Sequence, residues 1–308
     1  MMRIYPWPGQ SALANALAPA LADLDARTAA LALHAFPDGE TLVEVEPPAA
    51  GGDALIACTL DHPDARTVPL LLAARTLREL GAARVGLVAP YLAYMRQDRR
   101  FRPGQALSAR GYAALLAAHF DGLVTVDPHL HRIRDLAEVY PIPVRVVHAA
   151  PALAAWIRDH VRDPLVIGPD GESAQWAADV AARAAAPLIV LNKQRLGDAD
   201  VRVSVPDLAR WPGRTPVLID DIISSGRTAA AALAHLRAAG TLPPVCVAVH
   251  GLFAGDAYHE LLEAGAARVV TTTSVAHAAA QIDIGALIAA GVRDLWRAPD
   301  AANPEIRP

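Results

Sequence analysis

Short apolar runs rich in Val, Ile and Leu alternate along the chain with longer Ala/Leu stretches at helical spacing. Near-continuous apolar runs of this kind are what parallel strands buried on both faces require, and the intervening stretches supply the crossover helices. The fold class is therefore α/β. The spacing predicts strands at 54–58, 84–89, 122–126, 165–167, 188–191, 216–219, 245–250 and 268–272, and helices at 67–80, 108–119, 173–185 and 228–239. A Pro-rich stretch from Tyr140 to Pro151 separates two βα series of similar length. This places a domain boundary near residue 146, giving domains 1–146 and 147–308, and allows the last helix to pack back on the N-terminal domain. No convincing sequence repeat relates the halves. In open parallel sheets ligands lie beyond the carboxyl ends of the strands, so residues just after strands matter most.

Composition narrows the function. The chain has 308 residues, enough for two ordinary cores. Its 53% hydrophobic and 19% charged content suits subunit interfaces as well as cores, though an Ala-rich codon bias gives the same figures. A formal charge of −4 offers no broad basic face for a phosphate backbone, which argues against nucleic-acid binding. The start, MMRIYPWPGQ, has no signal-peptide pattern and no window approaches a membrane span, so a cytoplasmic location is expected, with no membrane partner. The two cysteines, Cys58 and Cys246, are too few for a zinc site or disulfide framework and read as reduced core residues. Lys193 is the only lysine, which draws attention to its position.

The segment 217–229, VLIDDIISSGRTA, begins as a buried strand, passes two carboxylates and ends in a small polar loop before an Ala-rich helix. Hydroxyls and close-spaced amides at a helix start suit a phosphate dianion, here at Ser224, Ser225, Gly226, Arg227 and Thr228. Asp220 and Asp221 can accept hydrogen bonds from vicinal ribose hydroxyls. The bland alternative, a strand followed by an ordinary helix cap, leaves two acids at a buried strand end without a purpose. The segment resembles the phosphoribosyl-diphosphate loop shared by type I phosphoribosyltransferases and ribose-phosphate pyrophosphokinases.

Four further segments resemble the pyrophosphokinases, in the family's order. Phe36-Pro37-Asp38-Gly39-Glu40 is a turn that presents two carboxylates and an aromatic ring; in the family it reaches ATP bound to a neighbouring subunit, which implies ATP contacts for Phe36, Asp38 and Glu40. Pro90 to Arg100 includes Arg96 and Gln97, assigned by the resemblance to ATP; a guanidinium beside an amide suits phosphate and base-edge contact. Asp127-Pro128-His129 resembles the family's Asp-Leu-His, making His129 a ligand at a Mg²⁺ site together with Asp170 of Pro169-Asp170-Gly171. Mg²⁺ prefers oxygen and keeps waters, so substrate phosphates must supply much of its shell. Asn192-Lys193-Gln194-Arg195 resembles the catalytic Lys-x-Arg, read here as an extended loop ahead of a polar segment, 196–202, whose side chains flare to either side of a diphosphate. His250-Gly251-Leu252-Phe253 is a supporting match.

The resemblance, from about residue 34 to 275, implies two phosphoribosyltransferase-like domains, ATP and ribose 5-phosphate as substrates, Mg²⁺ as cofactor and a homo-oligomer with an ATP site shared between subunits. Departures are Ser224 in place of an acid, Arg227 in place of glycine, and Gln175-Trp176 where basic residues are common. Two other readings stay open: a phosphoribosyltransferase, against which the FPDGE and RQD segments argue, and a non-catalytic regulatory homologue, against which Lys193, Arg195, His129 and Asp170 argue. No Walker A sequence is present.

Overall fold

The structure is a computed structural model that describes residues 1–130, 132–169, 171, 173–195, 201–204 and 208–297, with 192–195 and 201–204 described by their backbone. Asp170, one of the expected metal ligands, lies outside the described residues. The chain forms two compact units: Met1–Val147 with the last helix, and His148–Ile284.

The first unit contains β1 (Met2–Pro6), α1 (Ser11–Ala20), β2 (Ala26–Thr28), β3 (Leu31–Ala35), β4 (Thr41–Val45), β5 (Asp53–Ala57), α2 (Pro63–Glu79), β6 (Arg84–Ala89), α3 (Ser108–Ala117), β7 (Gly122–Val126) and β8 (Val144–Val147). Its main sheet has the order β2-β1-β5-β6-β7-β8 and every pairing in it is parallel. β7 is buried at all five positions and β6 at all but its first, as a sheet covered on both faces demands. β3 and β4 stand apart as an antiparallel hairpin.

The second unit runs α4 (Ala150–His160), β9 (Pro164–Gly168), α5 (Ala174–Arg183), β10 (Leu188–Val190), β11 (Asn192–Arg195), β12 (Val201–Ser204), β13 (Thr215–Ile223), α6 (Arg227–Ala238), β14 (Val245–Gly251), α7 (Ala257–Glu263), β15 (Arg268–Thr272) and β16 (Ala280–Ile282). Its sheet, β10-β9-β13-β14-β15-β16, is also parallel throughout and repeats the first sheet's plan strand for strand. Each sheet has a two-stranded antiparallel hairpin inserted after its second strand in sequence: β3-β4 after β2, and β11-β12 after β10. The core of this unit gathers Leu165, Ile167, Leu218, Leu233 and Leu236 between sheet and helices.

The final helix, α8 (Gly285–Arg297), belongs to the first unit. Ile288, Val292 and Leu295 fall at helical spacing and are buried, so one face seats on β7, β8 and α1. Polar bonds fix its end: Trp296 donates to Asp53 Oδ2 (2.9 Å), the same carboxylate that receives Arg84 in a fork at 3.0 and 2.8 Å. Arg293 and Arg297 both reach Asp23.

One expectation is corrected. Asn192–Arg195 is a strand, not an extended loop, and pairs antiparallel with Val201–Ser204, so Val201 and Arg202 belong to the hairpin as well. Positions 193 and 195 are two apart in this strand, opposite Val203 and Val201.

Candidate active site

The candidate residues of the second unit lie around the end of β13. This strand pairs with β9 only as far as Leu218, while its pairing with β14 continues to Ile223, so Asp220 and Asp221 sit on an overhang. Both are half-buried, and the Asp220 carboxylate accepts from the Asp221 amide at 3.0 Å. Cys246, paired with Leu218 on β14, has its thiol pushed up to about 12, by burial first and by the Asp220 charge second. Cys58 is likewise raised to about 12 by burial, so both free thiols stay protonated and unreactive near neutral pH.

Ser224, Ser225 and Gly226 make the turn into α6. Gly226 is the N-cap and takes a left-handed conformation, φ 68°, with the space for a Cβ bounded by Ala257 and Leu261 at 3.5 Å. As the N-cap, Gly226 has no side chain with which to cap the helix. The loop is held instead by its carbonyls: Ile223 O accepts from Leu252 (2.9 Å) and Phe253 (3.2 Å), and Ser224 O from Ala254 (3.0 Å). The His250-Gly251-Leu252-Phe253 segment thus braces the loop from the end of the adjacent strand. Arg227, the departure from glycine, does not carry the left-handed angle; it is an exposed first residue of α6 and leaves the turn geometry intact.

Lys193 and Arg195 are on β11, the first strand of the hairpin that follows β10. In the same unit Gln175 and Trp176 fall in the first turn of α5.

In the first unit, Phe36 to Glu40 form the tip of the β3-β4 hairpin. Gly39 N donates to Phe36 O (3.0 Å) and Phe36 N to Glu40 O (2.8 Å), with Gly39 at φ 95°. That is a type I turn followed by a left-handed residue, the geometry Pro at the second and Gly at the fourth position favour. Asp38 accepts from the Glu40 amide (3.2 Å), and Phe36 stacks edge-on against His34 yet stays 41% exposed.

Arg96 and Gln97 lie on the loop after β6, and His129 on the loop after the neighbouring β7. Tyr94 turns the first loop with φ 64°, its hydroxyl bonded to Asp64, a contact that raises the phenol pKa. Gln97 is pinned three times: its backbone amide donates to Tyr94 O (3.2 Å), its backbone carbonyl receives Ala109 N (3.3 Å) at the start of α3, and its side-chain oxygen accepts from the Ser108 hydroxyl. Between the loops, Arg132 is bonded to Asp98, a pair that sequence reasoning missed because only the fold brings the positions together.

Among the described residues no three metal-ligating side chains converge. A Mg²⁺ ion that takes most of its shell from phosphates and water needs only one or two protein ligands, so the donors present are compatible with that ion and not with an all-protein cage. No helix among the described residues is long and apolar enough to cross a membrane.

Comparison with known proteins sets these features in a family. A model described as the N-terminal domain of ribose phosphate pyrophosphokinase matches residues 2–119, and one described as a phosphoribosyl transferase domain matches 140–284. The ribose-phosphate pyrophosphokinase of Methanopyrus kandleri is 34% identical over 278 residues, 89% of this chain and 93% of that protein. The chain belongs to the ribose-phosphate pyrophosphokinase family. The enzyme of the same name from Methanothermobacter thermautotrophicus is 33% identical over 280 residues, 90% of this chain and 96% of that one. The crystal structure of phosphoribosylpyrophosphate synthetase from Mycobacterium smegmatis superposes with a TM-score of 0.82 at 27% identity, covering 96% of this chain and 98% of the other. Family membership makes this an enzyme that forms phosphoribosyl diphosphate, with ATP and ribose 5-phosphate as the implied substrates and a phosphoryl transfer that generally needs a metal.

Proposed function

We propose that the protein transfers the β,γ-diphosphate of ATP to the 1-hydroxyl of ribose 5-phosphate. The hydroxyl oxygen bonds to the β-phosphorus, the bond from that phosphorus to the α–β bridging oxygen breaks, AMP departs with the oxygen, and the hydroxyl proton is released. The observation that carries this reading is the end of β13, where a left-handed glycine N-cap and a helix start follow two carboxylates on an overhanging strand. The amides and hydroxyls of 224–228 would hold the 5-phosphate while Asp220 and Asp221 receive the ribose hydroxyls. Such chemistry rests on positioning and charge neutralisation, for which Lys193 and Arg195, two apart on β11, would serve the diphosphate. Arg96, Gln97, Phe36, Asp38 and Glu40 would hold ATP. Mg²⁺, held through His129 and Asp170, would neutralise phosphate charge when bound. The protein would work in the cytoplasm.

Phosphorus NMR of the protein with ATP, Mg²⁺ and ribose 5-phosphate tests the reaction. AMP and a new diphosphate ester are expected, and Lys193→Ala is expected to lower the rate by about 10² to 10³. ADP as product, or nucleotide binding without turnover, would overturn the reading.

The exposed hairpin tip supports a homo-oligomer in which Phe36, Asp38 and Glu40 reach the ATP site of a neighbouring subunit. Mixing Asp38→Ala with Lys193→Ala should then restore about a quarter of the sites by random assembly. Two inactive variants that stay inactive when co-assembled would place the site within one subunit.

A further inference from the structure

We propose that Asp98 is a positioning residue for the nucleotide half of the active site, holding the loop that carries His129 against the loop that carries Arg96 and Gln97. The inference rests on the roles proposed above for those three residues. The two loops leave the ends of neighbouring parallel strands, β6 and β7. The β6 loop is anchored on its far side, through Tyr94 and through Gln97 at the start of α3. At the base of the β7 loop, Val126 N donates to Pro90 O (3.1 Å) and Asp127, at φ 31°, donates to Val147 O (3.0 Å). Beyond His129 the tie is Asp98. Its carboxylate accepts from the Arg132 amide at 3.2 Å and from the Arg132 guanidinium at 3.1 Å.

Burial distinguishes this pair from a surface ion pair. The Asp98 side chain is only 2% exposed, against 41% for Arg132. A carboxylate taken out of water costs free energy that a lone partner recovers only with good geometry, so a pair of this kind gains stiffness rather than much stability. It meets both a backbone amide and the side chain of the same residue, which fixes the path of the β7 loop as well as one rotamer. A hydrophobic clip would hold the loops together; the charged, directional clip sets their spacing. Groups outside the contact shell that orient ligand-bearing loops typically cost 10- to 100-fold when removed.

Four variants test this: Asp98→Ala, Asp98→Asn, Arg132→Ala and the double Ala variant. Dissociation constants for a fluorescent ATP analogue, KM values for both substrates, thermal midpoints and amide hydrogen exchange over 128–134 are the readouts. Asp98→Ala and Arg132→Ala should each weaken nucleotide binding and raise KM for ATP about tenfold. KM for ribose 5-phosphate should stay within about twofold, and the double variant should be no worse than either single one. Asp98→Asn keeps an acceptor for the Arg132 amide and should recover part of the loss, while Asp98→Ala should lose exchange protection at that amide. Equal rises in both KM values with a lowered midpoint would mean a structural clip only. Additive effects of the two substitutions, or ATP binding unchanged in all four variants, would overturn the proposal. Wild-type protein that yields no AMP from ATP and ribose 5-phosphate would instead sink the function proposed above, with binding and exchange still deciding the role of Asp98.

Discussion

The same junction occurs once in each unit and has been finished differently. β5 leads into α2 and β13 into α6 at matching places in two sheets of the same order. In the first unit a five-residue connection, 58–62, is filled by the protein's own groups. Thr59 N donates to Gln10 Oε1 at 2.7 Å, Thr59 O receives Gln10 Nε2 and Arg66, and Arg66 pairs with Asp61. Pro63 then opens α2, removing one helix-start amide. In the second unit the connection is three residues, 224–226, a left-handed Gly226 turns it directly into α6, and the helix opens on Arg227, which keeps its amide, where α2 opens on a proline; neither N-cap residue makes a side-chain cap. A strand–loop–helix junction can serve an anion only where its donors are left unspent, and the first junction spends the Thr59 amide on Gln10. The fold supplies two such junctions and the side chains decide which of them remains open.

The largest effect that would break this contrast is loss of the carboxylates. Asp220→Ala or Asp221→Ala should lower kcat/KM for ribose 5-phosphate by about 10- to 150-fold, the range for hydrogen bonds involving a charged group. The matching change in the first unit, Asp61→Ala, should leave that ratio alone. It should instead lower stability by about 1 kcal/mol, since the partly buried Arg66 loses its carboxylate partner and keeps the Thr59 carbonyl. Steady-state kinetics beside urea unfolding separates the two outcomes. A kinetic defect in Asp61→Ala would show that the first junction also serves the substrate.

Next in size is Gly226→Ala. A Cβ at φ 68° costs about 1–2 kcal/mol, which corresponds to a rise of roughly 5- to 30-fold in KM for ribose 5-phosphate if the turn shifts to relieve it. The added methyl has room beside Ala257 and Leu261 at 3.5 Å, so the effect measures backbone conformation and not a clash. An unchanged KM would mean the loop amides do not hold the phosphate.

The parts of this arrangement legible in the sequence are those written in local pattern. Buried runs such as 84–89, 122–126 and 245–250 announced parallel strands, and each is one, because strands buried on both faces are apolar at nearly every position, Thr125 and His250 being the buried polar exceptions. The DDIISSGRT run was readable as a strand, an acid pair and a helix start for the same reason. The connection 140–151 read as a Pro-rich linker, yet β8 occupies its middle: Pro141 and Pro143 precede the strand and mask its Val144–Val147 run. α1 went unread because its Ala-rich sequence carries no charged face and contains Pro19. α8 was expected only as a last helix able to pack back on the N-terminal domain, without bounds, and its apolar stripe at 288, 292 and 295 is the pattern that would have placed them. The closed junction could not be read at all. Gln10 and Thr59 are 49 residues apart, and nothing local marks either as the other's partner.

The smallest effect isolates that closure. Gln10→Ala removes the side chain that satisfies both the amide and the carbonyl of Thr59, while Arg66 still reaches the carbonyl. The Thr59 amide then loses its partner in a part-buried position, so unfolding in urea should show a loss of about 1 kcal/mol. KM for ribose 5-phosphate should not move, and KM for ATP should shift by no more than about twofold, because the plug meets the 90–100 segment only at the Tyr91 backbone, through the Thr59 hydroxyl and the Leu60 amide, and touches neither Arg96 nor Gln97. Phosphate binding that appears at the first unit in this variant would show that the two junctions differ by one side chain. Its absence would show that Pro63 and the Arg66–Asp61 pair are enough to keep that junction closed.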